Sequence, residues 1–327
     1  MSSKTLNKLP LEAMLKYKKI KSNETQFLSL TSLYVNEFEA LLVDFHAVWD
    51  SQMRYFTFGG KERLREYSEK KNGLLPDTAD KLFFILYYLK NQPLQEALAA
   101  SFGMTQPQAN TYIHKYRQVL HKALDMQGCL PARSADSLKK RLVHSDESDF
   151  YTDAVERAIP RSTDWETQKE NYSGKKKMHT QKNTVFSGSD SKIYYLSDSY
   201  EGKTHDKKIN EIEQVELPEN SRCFQDTGFL GYSPEGENIE IVMPTKKPKG
   251  KELTKDQKEE NTRIARVRVK VEHVMSGIKR LRVIKDKIRV FANNFRDQAM
   301  EIACALHNFR LIFRPWEYPS ADKILQR

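Results

Sequence analysis

The hydrophobic pattern changes character near residue 150, and this change constrains the fold more than any other feature. From Gln26 to about Leu124, apolar side chains recur at steps of three and four residues, the spacing of amphipathic helices. Beyond the segment 127–149, short β-type runs alternate with turns. These runs are Phe150 to Ile159, Thr184 to Ser187, Lys192 to Tyr195, Ser221 to Phe224 and Ile239 to Val242. This order predicts an all-helical domain followed by an α/β domain.

Helical segments complete the second half. One, about Asp206 to Val215, separates the third and fourth β-type runs, and two long ones follow, about Lys255 to Leu281 and Asn293 to Phe313. The pattern therefore predicts five parts: a flexible N-terminus at 1–22, a helical domain at 23–128, a linker at 129–149, an α/β domain at 150–314 and a tail at 315–327.

Two absences limit the class of protein. The longest apolar run, Leu82 to Leu89, fits a buried helix and is far shorter than the ~20 residues that span a bilayer. We therefore expect no membrane partner. The three cysteines are far apart and form no CxxC pair, which favours a reducing intracellular compartment over a disulfide framework or a zinc site.

A compact unit in the helical half has the outline of a helix-turn-helix. Leu94 to Phe102 carries an apolar face, Gly103 supplies a turn, and Thr105 with Gln108 matches a capping box. Gln and Asn can pair with adenine edges in the major groove, which makes the polar start of the second helix a candidate DNA contact. The candidate residues there are Gln106, Gln108, Asn110, Thr111 and Lys115. An ordinary αα-hairpin with a polar outer face would show the same pattern.

The positive charge is concentrated in one segment. The formal net charge is +10, and the window from Lys246 to Arg289 holds 16 basic and 6 acidic residues, which accounts for the whole excess. A block of this kind indicates a polyanion as partner. Within its long helix, Arg268, Glu272 and Lys279 form one stripe at the border of the apolar face.

Three carboxylates on separate elements could form a divalent-metal site. Asp153 interrupts the first β-type run although Asp is a poor strand former, Asp226 follows the fourth run, and Glu272 lies on the basic helix. Mg²⁺ prefers carboxylate oxygens, and a pair of such ions can activate a nucleophile and stabilise the leaving oxygen of a phosphodiester. Each acid also has a simpler interpretation: an edge-strand polar residue, a turn cap, and an ion-pair partner of Arg268.

Several motifs, in the same order, resemble those of the DDE transposases of bacterial insertion sequences, in the branch related to eukaryotic PIF/Harbinger elements. The matching segments are the helix-turn-helix region at 82–113, YSGKKKMHTQKNTV at 172–185, SYEGKTHDKKI at 199–209, FQDTGFLGY at 224–232, RVKVEHVMSGIKRLRVI at 268–284 and ALHNFRLIF at 305–313. The resemblance implies an α/β fold with an RNase H-like catalytic domain, a mixed sheet flanked by helices, after an all-α helix-turn-helix domain.

Carried over residue by residue, the resemblance makes Asp153, Asp226 and Glu272 the catalytic acids and the ligands of two Mg²⁺ ions, with Mn²⁺ as a substitute. Asp206 is a rival for the second acid. Asp226 is preferred because it directly follows a strand, whereas Asp206 looks like a helix start, where Asp is a natural cap. The sequence departs from the family at Val155, where Thr is usual, and at Ala265, where Tyr is frequent.

The resemblance also assigns basic residues and partners. Arg268 and Lys279 would contact or orient a DNA end, and phosphate could meet Lys175, Lys176 and Lys177. The implied activity is cleavage and strand transfer at the inverted terminal repeats of a mobile element, by a homo-oligomer on double-stranded DNA, in a bacterial cytoplasm and at its nucleoid. A domesticated DNA-binding protein and a nuclease without strand transfer are the alternatives.

Overall fold

The structure is a computed structural model that describes residues 14–57, 60–67, 73–143, 145–290 and 293–326. The chain forms two compact units. One consists of Met1–Cys129 with Arg280–Val283, and the other of Leu130–Lys279 with Ile284–Arg327. The expected flexible N-terminus at 1–22 lies outside the described residues as far as residue 13, and beyond that Tyr17–Ile20 forms a short helix, α1.

Helices make up the first unit as far as it is described. After α1 they are α2 (Glu24–Thr31), α3 (Val35–Tyr55), α4 (Thr78–Asn91), α5 (Gln95–Ser101) and α6 (Gln106–Met126). The predicted buried helix is α4, in which Leu82 to Leu86 are fully buried. The ring of Phe84 packs edge-on against Phe102 at 5.0 Å and against Tyr116 at 5.9 Å. Large aromatic side chains therefore pack α6 against the core of this unit, and the polar residues of α6 lie toward its surface.

The turn between α5 and α6 follows the predicted chemistry. Gly103 has a φ of +65°, in the left-handed region that glycine adopts without a steric penalty, and a β-carbon there would collide with Met14. The backbone N–H of Thr105 donates to Gln108 Oε1 at 2.9 Å, which confirms the capping box at the start of α6.

A mixed sheet forms the centre of the second unit. Its strands are β1 (Asp149–Ala158), β2 (Tyr172–Ser173), β3 (Met178–Ser187), β4 (Ile193–Leu196), β5 (Tyr200–Glu201), β6 (Arg222–Phe224) and β7 (Glu240–Val242). β1 pairs antiparallel with β3 and parallel with β6, and β6 pairs parallel with β7. β4 and β5 both pair antiparallel with β3. The first strand is therefore central, and the mixed sheet confirms the predicted α/β fold class.

The helices described just before β1 and after it are α7 (Ala135–Leu142), α8 (Trp165–Asn171), α9 (Asp206–Glu213), α10 (Lys255–Lys279), α11 (Arg282–Lys285), α12 (Asn293–Phe313) and α13 (Ala321–Leu325). α9 connects the antiparallel strands to β6, the crossover that a parallel pair requires. α10 packs on β1, α12 and α13. The long basic helix ends at Lys279 rather than Leu281, and α8 and α13 were not predicted.

The residues predicted as a linker, 129–149, contribute to the second core. Ala132 donates to Tyr194 O at 2.8 Å and accepts from Leu196 N at 3.0 Å, so it extends the sheet beside β4. Leu138 and Leu142 of α7 lie in a buried cluster with Phe150 and other sheet residues. The apolar side of α7 thus packs against the sheet.

The C-terminal segment is attached to α10. His273 of α10 shares a hydrogen bond with the hydroxyl of Tyr318, and its ring meets that of Trp316 edge-on at 6.2 Å. Asp322 of α13 forms an ion pair with Arg222, which also binds Asp149 of β1 at 2.7 Å. We call residues 316–322 the C-terminal clasp. It joins the last helix of the chain to both the sheet and α10.

Candidate active site and nucleic-acid interface

Two of the predicted acids follow from the register of the parallel strands. Tyr151 of β1 lies opposite Phe224 of β6, and their rings stack at 4.8 Å. Asp153 and Asp226 each lie two residues beyond this pair, one after Tyr151 and the other after Phe224. Since alternate residues of a strand share a face, both carboxylates fall at the same side and the same end of the β1–β6 pair.

The Asp153 carboxylate is in an unfavourable place for a negative charge. Burial raises the pKa of Asp153, and the nearby charge of Asp226 raises it further. A hydrogen bond from the backbone N–H of Ala154, at 2.8 Å, opposes this, as do the positive charges of Arg268 and Lys279. The site therefore contains an acid pair whose mutual repulsion a cation would relieve.

Asp226 also has the capping role that its sequence position suggests. Its Oδ1 accepts from the backbone N–H of Gly228 at 2.6 Å and caps a single 3₁₀ turn, Thr227–Phe229. One oxygen is used by this turn. No described Lys or Arg side chain forms an ion pair with Asp226, so its charge is not locally neutralised by one.

Glu272 is exposed on α10, between Arg268 one turn before it and Lys279 two turns after it. The simpler interpretation, a pair with Arg268, is not what the structure contains: none of these three side chains forms a hydrogen bond or ion pair with another described residue. The Nε atom of Arg268 is buried without a hydrogen-bond partner in the described part of the chain. Arg268 and Lys279 thus lie close enough for their charges to act on Asp153. The side chains of the stripe, Glu272 included, form no hydrogen bond or ion pair with a described residue.

The acids do not form a closed metal site here. Within the described ranges, no three His, Cys, Asp or Glu side chains lie close enough together to hold a metal ion. The residues nevertheless fit a divalent cation. Asp153 and Asp226 provide hard oxygen donors, and their negative charges repel each other. The buried Arg268 Nε, which has no acceptor among the described residues, suits an anion such as phosphate. Glu272 is exposed on α10 and belongs to no such cluster among the described residues.

The rival acid, Asp206, lies near the same turn but is neutralised. It begins α9 and pairs with Lys182 Nζ at 3.1 Å, and the same ammonium donates to Thr204 O at 2.9 Å. A β-carbon placed on Gly228 would lie 2.8 Å from Asp226 Oδ1 and 3.6 Å from Asp206 Oδ2. Sequence reasoning missed Lys182, because a partner on a neighbouring strand leaves no local signal.

The lysines of the KKK motif lie away from the acids. Lys175, Lys176 and Lys177 are exposed in the turn between β2 and β3, where Lys177 has a φ of +56°. Val185, the β3 partner of Asp153, is eight residues beyond Lys177. At the rise of an extended strand this is roughly 25 Å. A phosphate bound by the turn would therefore belong to DNA well outside the acid pair.

Part of the concentrated positive charge is paired within its own segment. Arg263 binds Glu260 at 2.7 Å, and Lys247, Lys258 and Lys255 also form ion pairs with nearby glutamates. Lys270 is buried between the rings of Tyr151 and Tyr318, and this burial lowers its pKa. For binding a phosphate near Asp153 and Asp226, the unpaired charges of Arg268 and Lys279 therefore matter more than the net charge of the segment.

The polar start of α6 is internally bonded. Gln106 donates through Nε2 to Gln95 Oε1, and Gln95 Nε2 donates to Asn110 Oδ1 at 3.0 Å. The Thr111 hydroxyl donates to Pro107 O at 2.9 Å, and Lys115 Nζ lies 4.7 Å over the ring of Trp49. Gln108 serves the cap. Sequence reasoning named these residues of α6 but missed Gln95, because α5 was judged by its apolar face alone.

Comparison with known proteins decides the family. A family described as "Helix-turn-helix of DDE superfamily endonuclease" matches residues 75–125, and one described as "DDE superfamily endonuclease" matches residues 152–308. The chain belongs to the DDE endonuclease superfamily. The first match also resolves the alternative of an ordinary αα-hairpin in favour of the helix-turn-helix.

A relative supports the same assignment for the DDE chain as a whole. The "Probable transposase for insertion sequence element IS702" of Microchaete diplosiphon is 27% identical over 254 residues, which cover 76% of this chain and 87% of the relative. No solved structure matches the chain significantly. The predicted transposase is thereby confirmed over the alternatives. Among its described residues, this DDE protein has no helix long and apolar enough to cross a membrane.

Proposed function

We propose that this DDE transposase cleaves double-stranded DNA at the inverted terminal repeats of its element and joins the freed 3′ ends to target DNA. The observation that carries the proposal is the acid pair just beyond the last paired residues of β1 and β6, beside two unpaired cations on α10. Carboxylates can hold a metal ion there, and Arg268 and Lys279 can hold the phosphate that reacts.

The proposed metal ligands are Asp153, Asp226 and Glu272, with two Mg²⁺ ions, or Mn²⁺, as cofactors. Such ions, when bound, activate the attacking hydroxyl and stabilise the leaving oxygen. The protein side chains do the rest. Asp153, Asp226 and Glu272 would hold the ions through their carboxylate oxygens, and Arg268 and Lys279 would orient the phosphate.

DNA recognition is divided between the units in this proposal. Gln106, Gln108, Asn110, Thr111 and Lys115 contact the terminal repeat from α6. The lysines of the turn between β2 and β3 contact phosphates further along the duplex. A homo-oligomer would bring two such ends together.

The test is cleavage and joining of a DNA fragment that carries the element's own end, with Mg²⁺ or Mn²⁺. Asp153→Asn, Asp226→Asn and Glu272→Gln should each abolish nicking while the gel shift of the fragment is retained. Asp206→Asn is the matched control, because it changes a nearby acid that is already paired with Lys182. Activity in Asp226→Asn together with inactivity in Asp206→Asn would show that the second acid is misassigned.

Two further outcomes bear on the proposal as a whole. A wild-type protein that shifts the fragment but never nicks it, with either ion, would contradict cleavage. Nicked fragments that are never joined to a target would reduce the activity to that of a nuclease. Joined products exclude that alternative.

A further inference from the structure

A relay of side-chain amides crosses from α5 to α6 in the helix-turn-helix. Gln95, the first residue of α5, accepts at Oε1 from Gln106 Nε2 and donates through Nε2 to Asn110 Oδ1 at 3.0 Å. Gln106 and Asn110 are one turn apart on α6 and share a face. All three side chains are half-buried rather than freely rotating in solvent.

The relay couples the orientations of the three amides, so Gln106 and Asn110 offer opposite kinds of atom to another molecule. Gln106 uses an N–H toward Gln95, so its Oε1 is available as an acceptor. Asn110 uses its Oδ1, so its Nδ2 is available as a donor. Without the relay each amide could rotate by 180° and offer either atom in either place. An adenine presents a donor, N6, and an acceptor, N7, in the major groove.

We propose that Gln95 is a specificity-determining residue of this transposase. It sets the amides of Gln106 and Asn110 so that they present one acceptor and one donor to adenine edges, on one base or on neighbouring bases. The inference rests on the proposed DNA contacts of α6. Gln95 acts through the two α6 residues and is therefore a positioning residue.

The packing of the helix-turn-helix does not depend on the relay. Leu98 of α5 and Ala109 and Ile113 of α6 are buried, and Gly103 and the Thr105–Gln108 cap set the turn. Removing the Gln95 amide leaves these contacts in place. A change in base preference can therefore be separated from a loss of folding.

Two substitutions divide the relay. Gln95→Ala removes both hydrogen bonds. Gln95→Glu keeps an acceptor for Gln106 Nε2 but cannot donate to Asn110 Oδ1. Asn110 then turns its amide to donate to the carboxylate and presents Oδ1 in place of Nδ2. Glu96→Ala is the matched control, since Glu96 is the next residue of α5, is exposed and lies outside the relay.

The experiment selects binding sites from random duplex DNA with the full chain and measures affinity for selected and unselected duplexes by gel shift. We expect the wild type and Glu96→Ala to select sites with adenine at fixed positions. In Gln95→Ala, discrimination at those positions should fall about tenfold, the worth of a typical base-reading pair, with unchanged affinity for unselected DNA and an unchanged melting temperature. Gln95→Glu should keep the preference at the position read by Gln106 and change it at the position read by Asn110.

The possible failures are distinguishable. Identical selected sites for the wild type and Gln95→Ala would overturn the role of Gln95 while leaving DNA reading by α6 in place. An equal loss of affinity for all duplexes with a lowered melting temperature would show that Gln95 is merely structural. A wild type that selects no sequence at all would overturn both the reading by α6 and the role of Gln95.

Discussion

The two helices that carry the proposed DNA contacts hold their polar side chains in opposite ways. On α6, Gln106, Asn110 and Gln108 are engaged in hydrogen bonds within the helical unit. On α10, Arg268 and Glu272 form no side-chain hydrogen bond or ion pair with any described residue. A surface that reads bases gains from side chains that are already oriented. A site that binds metal and phosphate keeps its charged groups available, and here the carboxylates of Asp153 and Asp226 repel each other.

Asp153→Asn is the largest test of this contrast. Cleavage should fall by more than about 10²-fold, the scale for loss of a charge-stabilising group in an active site. In metal-free buffer the same variant should unfold at a higher temperature than the wild type. Burial and Asp226 raise the pKa of Asp153 in the folded state, so its ionised form destabilises the fold at any pH above the ordinary Asp range.

The pH dependence supplies the control. The stability gain of Asp153→Asn should be present at neutral pH and should disappear as the pH falls through the ordinary Asp range, because the wild-type carboxyl is then protonated as well. Asp206→Asn should do the reverse at neutral pH and lower the melting temperature, since it breaks the half-buried pair with Lys182. A lower melting temperature in both variants would mean that the ionised carboxyl of Asp153 does not destabilise the fold.

Arg268→Ala should weaken DNA binding at a small cost in stability. Its side chain forms no ion pair with a described residue, and the folded state loses only its longer-range attraction to Asp153. The loss of one phosphate contact should reduce the slope of log affinity against log salt by about 0.9. Arg263→Ala is the comparison on the same helix: it releases Glu260 and should leave the salt slope nearly unchanged. An unchanged slope in Arg268→Ala would place its guanidinium away from the DNA.

Gln108→Ala should have the smallest effect of these variants, a small loss of stability of the helical unit. It removes the acceptor of the Thr105 N–H at the start of α6, a cap worth about 1 kcal/mol. Thermal unfolding of the helical unit should register this loss, whereas Glu272→Ala on α10 should leave the melting temperature unchanged. If Gln108→Ala unfolds like the wild type, the polar residues of α6 are less organised than its hydrogen bonds indicate.

Local patterns were sufficient for most of the fold. The three- and four-residue spacing of apolar side chains located α3, α4, α6, α10 and α12, and the run from Ser221 to Phe224 located β6. Only the apolar half of β3 was predicted. Its first half, Met178 to Asn183, is mostly polar and shows no apolar pattern, and it is a strand because it pairs with β1 and β5. That pairing involves distant residues, which periodicity does not report.

The same limit applies to the candidate site. An Asp in an apolar run and an Asp after a strand could be singled out from the sequence, and their proximity follows once Tyr151 pairs with Phe224. The partners that tune them could not. Lys182 is 24 residues from Asp206, and Gln95 is 15 residues from Asn110. Each contact depends on how the elements pack, and the assignment of the catalytic acids stays a prediction.

The C-terminal clasp has a consequence for defective copies of the gene. In the order of synthesis, α6, the sheet and α10 all precede residues 316–322. A premature stop just before Pro315 would therefore leave the proposed DNA-reading helix and the three proposed acids intact but remove the contacts on His273 and Arg222. We expect such a product to occupy terminal repeats without cutting them and to inhibit the full-length transposase in mixed reactions. Undiminished cleavage when a chain ending at 314 is added in excess would contradict this.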